Sequence, residues 1–443
     1  MSQSHESRTP SSGAIKPSTH NTRPIEPDAE ALESAINQLS TYTDSAQDGW
    51  TRQVLSEPYK AAREFVANRM KSAGLEVHTD GAGNIIGRLP GLASERGARL
   101  KPLVTGSHTD TVASGGRFDG IVGVLGAIEM VEAMRRAGRR FERDLIVIDF
   151  LGEEANDFGT MCVGSNTLVG GVTPAMLDYT DPTGAKFGDA LARFGVDPNA
   201  ALNNAWQPGS FHAYIELHIE QGPQLERHNT QIGVVTAITG ISRFIAQFSG
   251  RTDHAGTTPM DVRHDALMAA AASALTVERV TCGAPNHGVG TVGRMDAWPG
   301  ALNVVPGQAT LEAEFRSVDS AWLGVAKRNI ADQIAQEAHA RGVAVDLEWL
   351  ATMEAVPTVP AIRDEIANAA QVAGLTWEAI PSGAGHDAQH MAALGPMGMI
   401  FVPSVDGRSH CPEEFSHTSD IANGVSVLAA TLARLDAMDV IRQ

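Results

Sequence analysis

The chain has 443 residues, enough for more than one sizeable core, and its 43% hydrophobic and 19% charged content is that of a globular protein in water. Lys+Arg of 34 against Asp+Glu of 52 gives a net charge of −18, which argues against nucleic acid and anionic membrane surfaces as partners. Cys162, Cys282 and Cys411 are odd in number and far apart, a pattern that fits a reducing, cytoplasmic setting better than a disulfide scaffold.

Residues 1–28, rich in Ser, Thr, Pro and His, read as a disordered tail, and no stretch approaches the roughly 20 apolar residues of a membrane helix. From Glu57 to Ala73 apolar residues recur at helical spacing, with Gly74 as the C-cap. A hairpin is expected around Asp80-Gly-Ala-Gly, a short buried strand at Leu103-Val-Thr-Gly, and a helix over 121–136. Residues 144–151 form an almost wholly apolar strand, as in a sheet covered on both faces, and Ala213 to His218 alternates as another strand. This strand–helix alternation indicates an α/β layer domain. After Gly240 the pattern becomes strand 243–249, helix 262–279, strands 289–295 and 309–316, helix 320–341 and strand 343–350, a β-α-β-β-α-β ferredoxin-like unit. A helix near 361–373, a strand at 397–402 and a closing helix over 420–438 follow. The expected architecture is a discontinuous catalytic domain (29–240 and 351–443), a mixed sheet flanked by helices, with an inserted α+β domain (241–350) as lid and dimer surface.

The residues with chemistry cluster where strands end. Gly106-Ser-His-Thr-Asp-Thr-Val follows a buried strand, and Asp119 lies in Gly115-Gly-Arg-Phe-Asp-Gly. Strand ends meeting Gly-rich loops are where open α/β sheets bind ligands. An imidazole and a carboxylate there suit a divalent ion, although Asp119 alone also reads as a helix cap. Glu153 and Glu154 leave an apolar strand together, a costly placement without a charge partner. His218 sits on an alternating strand among Ile215, Leu217 and Ile219. His410 follows the strand ending near Val402, with His417 as its rival. His108, Asp119, Glu154, His218 and His410 thus form an N/O ligand set without cysteine, with Glu153 left over, which matches a two-metal hydrolase; a one-metal hydrolase is the alternative.

These residues resemble the hydantoinase/carbamoylase branch of the aminoacylase-like dinuclear metallopeptidases, which includes N-carbamoyl-L-amino acid hydrolases and allantoate amidohydrolases. The resemblance runs from about residue 30 to 440, through the motifs above and through Glu216-Leu-His-Ile-Glu-Gln-Gly-Pro, Asp253-His-Ala-Gly-Thr-Thr-Pro-Met, Asn303-Val-Val-Pro-Gly, Ser382-Gly-Ala-Gly-His-Asp-Ala and Gly407-Arg-Ser-His. It implies two divalent ions per subunit, zinc or manganese first and cobalt or nickel compatible. His108 and His218 would hold one, Glu154 and His410 the other, and Asp119 would bridge them. It further implies Glu153 as general base and His254, sent across a homodimer interface, as the oxyanion stabiliser. Gln221, Asn303, Arg316 and His386 match substrate contacts, with Arg316 gripping a carboxylate through its planar fork. The implied reaction is hydrolysis of the ureido or amide bond of an N-carbamoyl-L-amino acid or related small carboxylate, releasing ammonia and carbon dioxide. Arg243 matches a substrate contact of allantoate amidohydrolases, which keeps allantoate or another purine-derived ureide as the alternative. A catalytically silent binding protein on the same fold would be expected to lack part of the ligand set.

Overall fold

The computed structural model describes residues 25–285, 288–350 and 353–441. Of the tail read over 1–28, residues 1–24 lie outside the described residues. The packed structure reaches back to Ile25, which is buried in the main core. Asp28 caps the helix Ala29–Ser40, its carboxylate accepting from the Ala31 amide at 3.0 Å.

The chain first lays down strands β1 (Glu76–Thr79), β2 (Ile85–Leu89), β3 (Leu103–His108), β4 (Leu145–Phe150), β5 (Ala213–Ile219) and β6 (Ile232–Ile238). It continues through β7 (Gly240–Ser249), β8 (Asp253–His254), β9 (Val289–Trp298), β10 (Val304–Val305), β11 (Gln308–Ser317) and β12 (Ala344–Trp349). It returns with β13 (Val356–Pro357), β14 (Trp377–Ser382) and β15 (Met397–Val402). The large sheet has nine strands in the order β1-β2-β4-β3-β5-β15-β6-β13, with β14 also on β6. Strands β4, β3, β5 and β15 run parallel at its centre, so their C-terminal ends share one edge.

Period-2 alternation sends neighbouring residues to opposite faces. Leu103, Val147, Ile215 and Leu217 enter one core, beneath the helices Ile121–Arg136 and Thr418–Asp436. Val104, Ile148, Phe150 and Tyr214 enter the other, with Leu168, Met391 and Met399. This two-sided burial is why β4 and β15 read as apolar runs. β3 and β5 pair only as far as Thr105 and Ile215 and part beyond them. Glu216 fills that fork: it accepts from Ser107 Oγ at 2.9 Å, Tyr214 Oη at 2.8 Å and the Ala388 amide at 3.1 Å.

The second sheet, ordered β12-β7-β11-β9, is antiparallel throughout. The helices Ala266–Cys282 and Ser320–Ala340 pack on it around Phe244, Phe248, Leu311, Phe315 and Ile330. Its strand and helix order is the ferredoxin-like one. The first helix starts at Ala266 rather than 262, because Asp265 accepts from the Met268 amide and so sets the cap; residues Met260–Val262 make only a 3-10 turn. The closing helix runs Thr418–Asp436, two residues earlier than expected. Strands β6 and β14 were not foreseen; β6 lacks the alternation that marks a half-buried strand.

The helix Ile121–Arg136 lies directly on the fork between β3 and β5, and Gly123 makes this possible: a Cβ there would overlap the Leu217 carbonyl and Ser107 Cβ. Gly123→Ala is therefore expected to destabilise the fold by about 1–3 kcal/mol through overpacking. A lower urea midpoint checks this, and an unchanged midpoint would contradict it.

Candidate metal centre and active site

The C-terminal edge of the parallel strands gathers six side chains from across the sequence. His108 ends β3, His218 lies near the end of β5, and Glu153 and Glu154 follow β4. Asp119 precedes the helix Ile121–Arg136, and His410 comes from the loop after β15. Asp119 does not cap its helix: the cap is Gly120, with no side-chain bond. Its carboxylate instead faces three imidazoles. Oδ1 lies 3.2 Å from His218 Nε2 and 3.6 Å from His108 Nε2, while Oδ2 lies 3.1 Å from His410 Nε2. His410 Nε2 is also 3.4 Å from Glu154 Oε1. Two donor groups result, His108/Asp119/His218 and Asp119/Glu154/His410, joined through Asp119. All donors are nitrogen or carboxylate oxygen, and one carboxylate presents an oxygen to each group, so the residues fit a pair of divalent cations. Glu153 belongs to neither group; its Oε2 stands 3.8 Å from His108 Nε2. His417, the rival of His410, is exposed at the start of the closing helix and takes no part.

The supports beneath these groups were not singled out from the sequence. Asp110 accepts from the backbone amides of Glu153, at 3.2 Å, and Glu154, at 3.0 Å, and its Oδ1 is 3.5 Å from His108 Nδ1. One carboxylate thereby orients an imidazole and pins the turn that carries both acids. Glu414 accepts from the Phe118 and Asp119 amides through Oε1 and from Ser409 Oγ through Oε2. Ser409 Oγ also lies 3.1 Å from Asp119 Oδ2. Buried Cys162 directs its thiol at Glu153 Oε1, 3.4 Å away. Asp387 is fully buried, with Oδ1 accepting from Ser165 Oγ at 2.5 Å and Oδ2 without a partner among the described residues. Asp110, in the motif with His108, Asp387, beside His386, and Ser409 and Glu414, around His410, sat in stretches that had drawn notice for other residues.

Charge is concentrated here. Burial opposes a charged His108, yet the Asp110 and Asp119 carboxylates raise its pKa well above the usual value. Burial likewise opposes a charged Asp119, but the three histidines hold it well below the carboxylate range. Burial pushes Glu153 well up, with Glu154 adding to it and His108 opposing. Burial and the charge of Asp119 bring Glu154 up to about 7. The Asp119 contact raises His410 to about 9. His386 is held well below the usual imidazole value by burial and by His218, whose ring centre is 4.5 Å away.

The centre opens into a cleft of about 960 Å³ whose walls include Gln221, Ser409, His410, Arg316, Ser382 and Gly383. Gln221 donates to Asp119 Oδ2 at 2.7 Å. His386 Nε2 lies 2.8 Å from Ser382 Oγ, just beneath the cleft wall. Arg316 reaches in from β11 and donates to the Gly383 carbonyl at 3.1 Å. Arg243 is not among the cleft-lining residues; its Nε is bound to Glu314 at 2.9 Å. His254 and Asn303 stand apart from the cleft walls on the β8–β10 ribbon. Both are exposed, and the Ala255 amide donates to the Asn303 carbonyl at 3.0 Å.

The model of peptidase family M20/M25/M40 matches residues 104–434. The chain belongs to this family. Within it the chain falls in the hydantoinase/carbamoylase branch. It is 38% identical over 420 residues to a ureidoglycolate hydrolase of Arabidopsis thaliana, covering 92% of this chain and 87% of that protein. It is 36% identical over 409 residues to an N-carbamoyl-L-amino-acid amidohydrolase of Paenarthrobacter aurescens, covering 92% and 98%. An allantoate amidohydrolase of Escherichia coli is 32% identical over 410 residues, again covering 92% and 98%. The crystal structure of a hydantoinase/carbamoylase family amidase from Burkholderia multivorans superposes with a TM-score of 0.85 at 34% identity, covering 94% of this chain and all of that one. The family is one of dinuclear metal-dependent hydrolases, which agrees with the paired donor groups.

In the metal-free chain His410, at about 9, and His108, held well above the usual imidazole value, carry protons at pH 7.5, and Glu154, at about 7, is partly protonated. These groups must lose their protons to become ligands. Adding zinc to metal-free protein in weakly buffered solution at pH 7.5 is expected to release about two protons or more, with apparent affinity falling as pH is lowered. Loading without proton release would contradict this reading of the ligands.

Proposed function

We propose that this chain hydrolyses the ureido group of N-carbamoyl-L-amino acids, releasing the amino acid, carbon dioxide and ammonia. The family and the relatives' names give the broader class, a metal-dependent hydrolase of C–N bonds other than peptide bonds, and a small carboxylate substrate is consistent with them. The observation that carries the reading is Asp119, one oxygen toward each of two donor groups, beside a glutamate that joins neither. When bound by His108, Asp119, His218, Glu154 and His410, two divalent cations, zinc or manganese, supply Lewis-acid polarisation of the carbonyl and an acidified water. Glu153 then takes the water's proton and returns it to the leaving nitrogen. Gln221 orients Asp119, and Arg316 offers its guanidinium to the substrate carboxylate across the cleft.

A purine-derived ureide is the second reading, favoured by the 38% identity to a ureidoglycolate hydrolase. Ureidoglycolate and allantoate carry the same pairing of ureido group and carboxylate. Ammonia release from metal-loaded enzyme offered N-carbamoyl-L-amino acids, N-carbamoyl-β-alanine, ureidoglycolate and allantoate separates the two. Preference for either of the last two would replace the first reading. Glu153→Gln is expected to keep both cations and lose turnover by about 10²–10⁴-fold. A substantially active variant would remove Glu153 from its role.

The same proposal takes residues 241–350 as a lid and dimer surface inserted between the two parts of the catalytic domain. The exposed His254 and Asn303, away from their own cleft, favour a homodimer in which the partner subunit's His254 stabilises the oxyanion. Mixing His254→Ala with Glu153→Gln subunits should then restore some activity, one working site in each heterodimer. Heterodimers that form and stay inactive would count against a shared site. No helix of the described residues is long and apolar enough to cross a membrane, and three free cysteines without a disulfide favour the cytoplasm.

A further inference from the structure

Glu314 stands between two arginines. The register of β7 and β11 sets Arg243 directly opposite Glu314, and Arg316 follows two residues along β11 on the same face. Glu314 divides its carboxylate between them: Oε2 takes Arg243 Nε at 2.9 Å, while Oε1 takes Arg316 Nε and Nη2, both at 2.7 Å. Arg316 Nη1 is turned to the Gly383 carbonyl, on the loop that leads to His386. Two guanidinium groups and one carboxylate leave the cluster with a net charge of +1, and only Arg316 of the three lines the cleft.

We propose that Glu314 is a specificity-determining residue that sets this charge, so that the cleft accepts a substrate with one carboxylate and disfavours one with two. The inference rests on Arg316 being the carboxylate anchor. Arg243 then acts on the substrate through Glu314: it neutralises the acid that would otherwise repel the incoming carboxylate. Glu314→Gln keeps the size and an acceptor oxygen but raises the cluster to +2. Arg243→Gln lowers it to zero, and the double variant returns it to +1.

Calorimetric titration of the metal-loaded enzyme with propionate and with succinate tests the charge count independently of turnover. Any affinity of the probes for the cations is common to all variants and cancels in the ratio. In Glu314→Gln the preference for succinate over propionate is expected to rise about tenfold, and in Arg243→Gln propionate binding to fall about tenfold. The double variant should return to the wild-type preference, which a merely structural role for Glu314 would not produce. An unchanged preference in Glu314→Gln, a double variant that keeps the altered preference, or Arg243→Gln binding propionate as wild type does would each overturn the proposal. If the series behaves as expected but no ureido substrate is hydrolysed, the proposed function fails and this inference stands. Turnover with a flat series sinks this inference alone.

Discussion

The site depends on one carboxylate that cannot be neutralised from a single side. Asp119 is buried, and its two oxygens face different imidazoles brought in by three separate segments. A buried anion is tolerable only when it is paired and hydrogen-bonded. That requirement fixes the ends of β3 and β5, the loop after β15 and the start of the helix at Ile121 relative to one another. Gln221, Ser409 and the backbone bonds to Glu414 hold Asp119 from the remaining directions. Removing any one of the three histidine-bearing segments would leave Asp119 with one imidazole fewer.

Much of this was legible in the chain. The donors sit in short motifs at strand ends, where period and Gly-rich turns already indicate a crevice, and the structure brings all five together. The ferredoxin-like unit was readable because its strands alternate cleanly between a packed face and an open one. What could not be read was the pairing of distant polar groups. Asp110, Glu414 and Asp387 owe their roles to partners far along the chain, and no local pattern distinguishes such a carboxylate from a solvated one. The start of the packed structure was missed for a related reason: Ile25 and Asp28 look like tail residues until the core and the helix cap that receive them are seen.

The two sheets divide the labour. The parallel centre of the large sheet supplies rigid strand ends for the cations, while the antiparallel sheet delivers side chains from a distance, Arg316 into the cleft and His254 away from it. The Arg316 contact with the Gly383 carbonyl is a visible joint between these parts. It ties Arg316, the residue proposed to grip the substrate, to the loop bearing His386.

The strand order carries one more consequence. β15, near the end of the chain, lies in the middle of the large sheet between β5 and β6. A polypeptide emerging from its N-terminus therefore spends most of its synthesis with a slot open at the heart of its framework. When residues 397–402 fill that slot, the loop that follows brings His410 with them. Closing the framework and completing the cation cradle are thus one event, and a chain cut short before this point has neither.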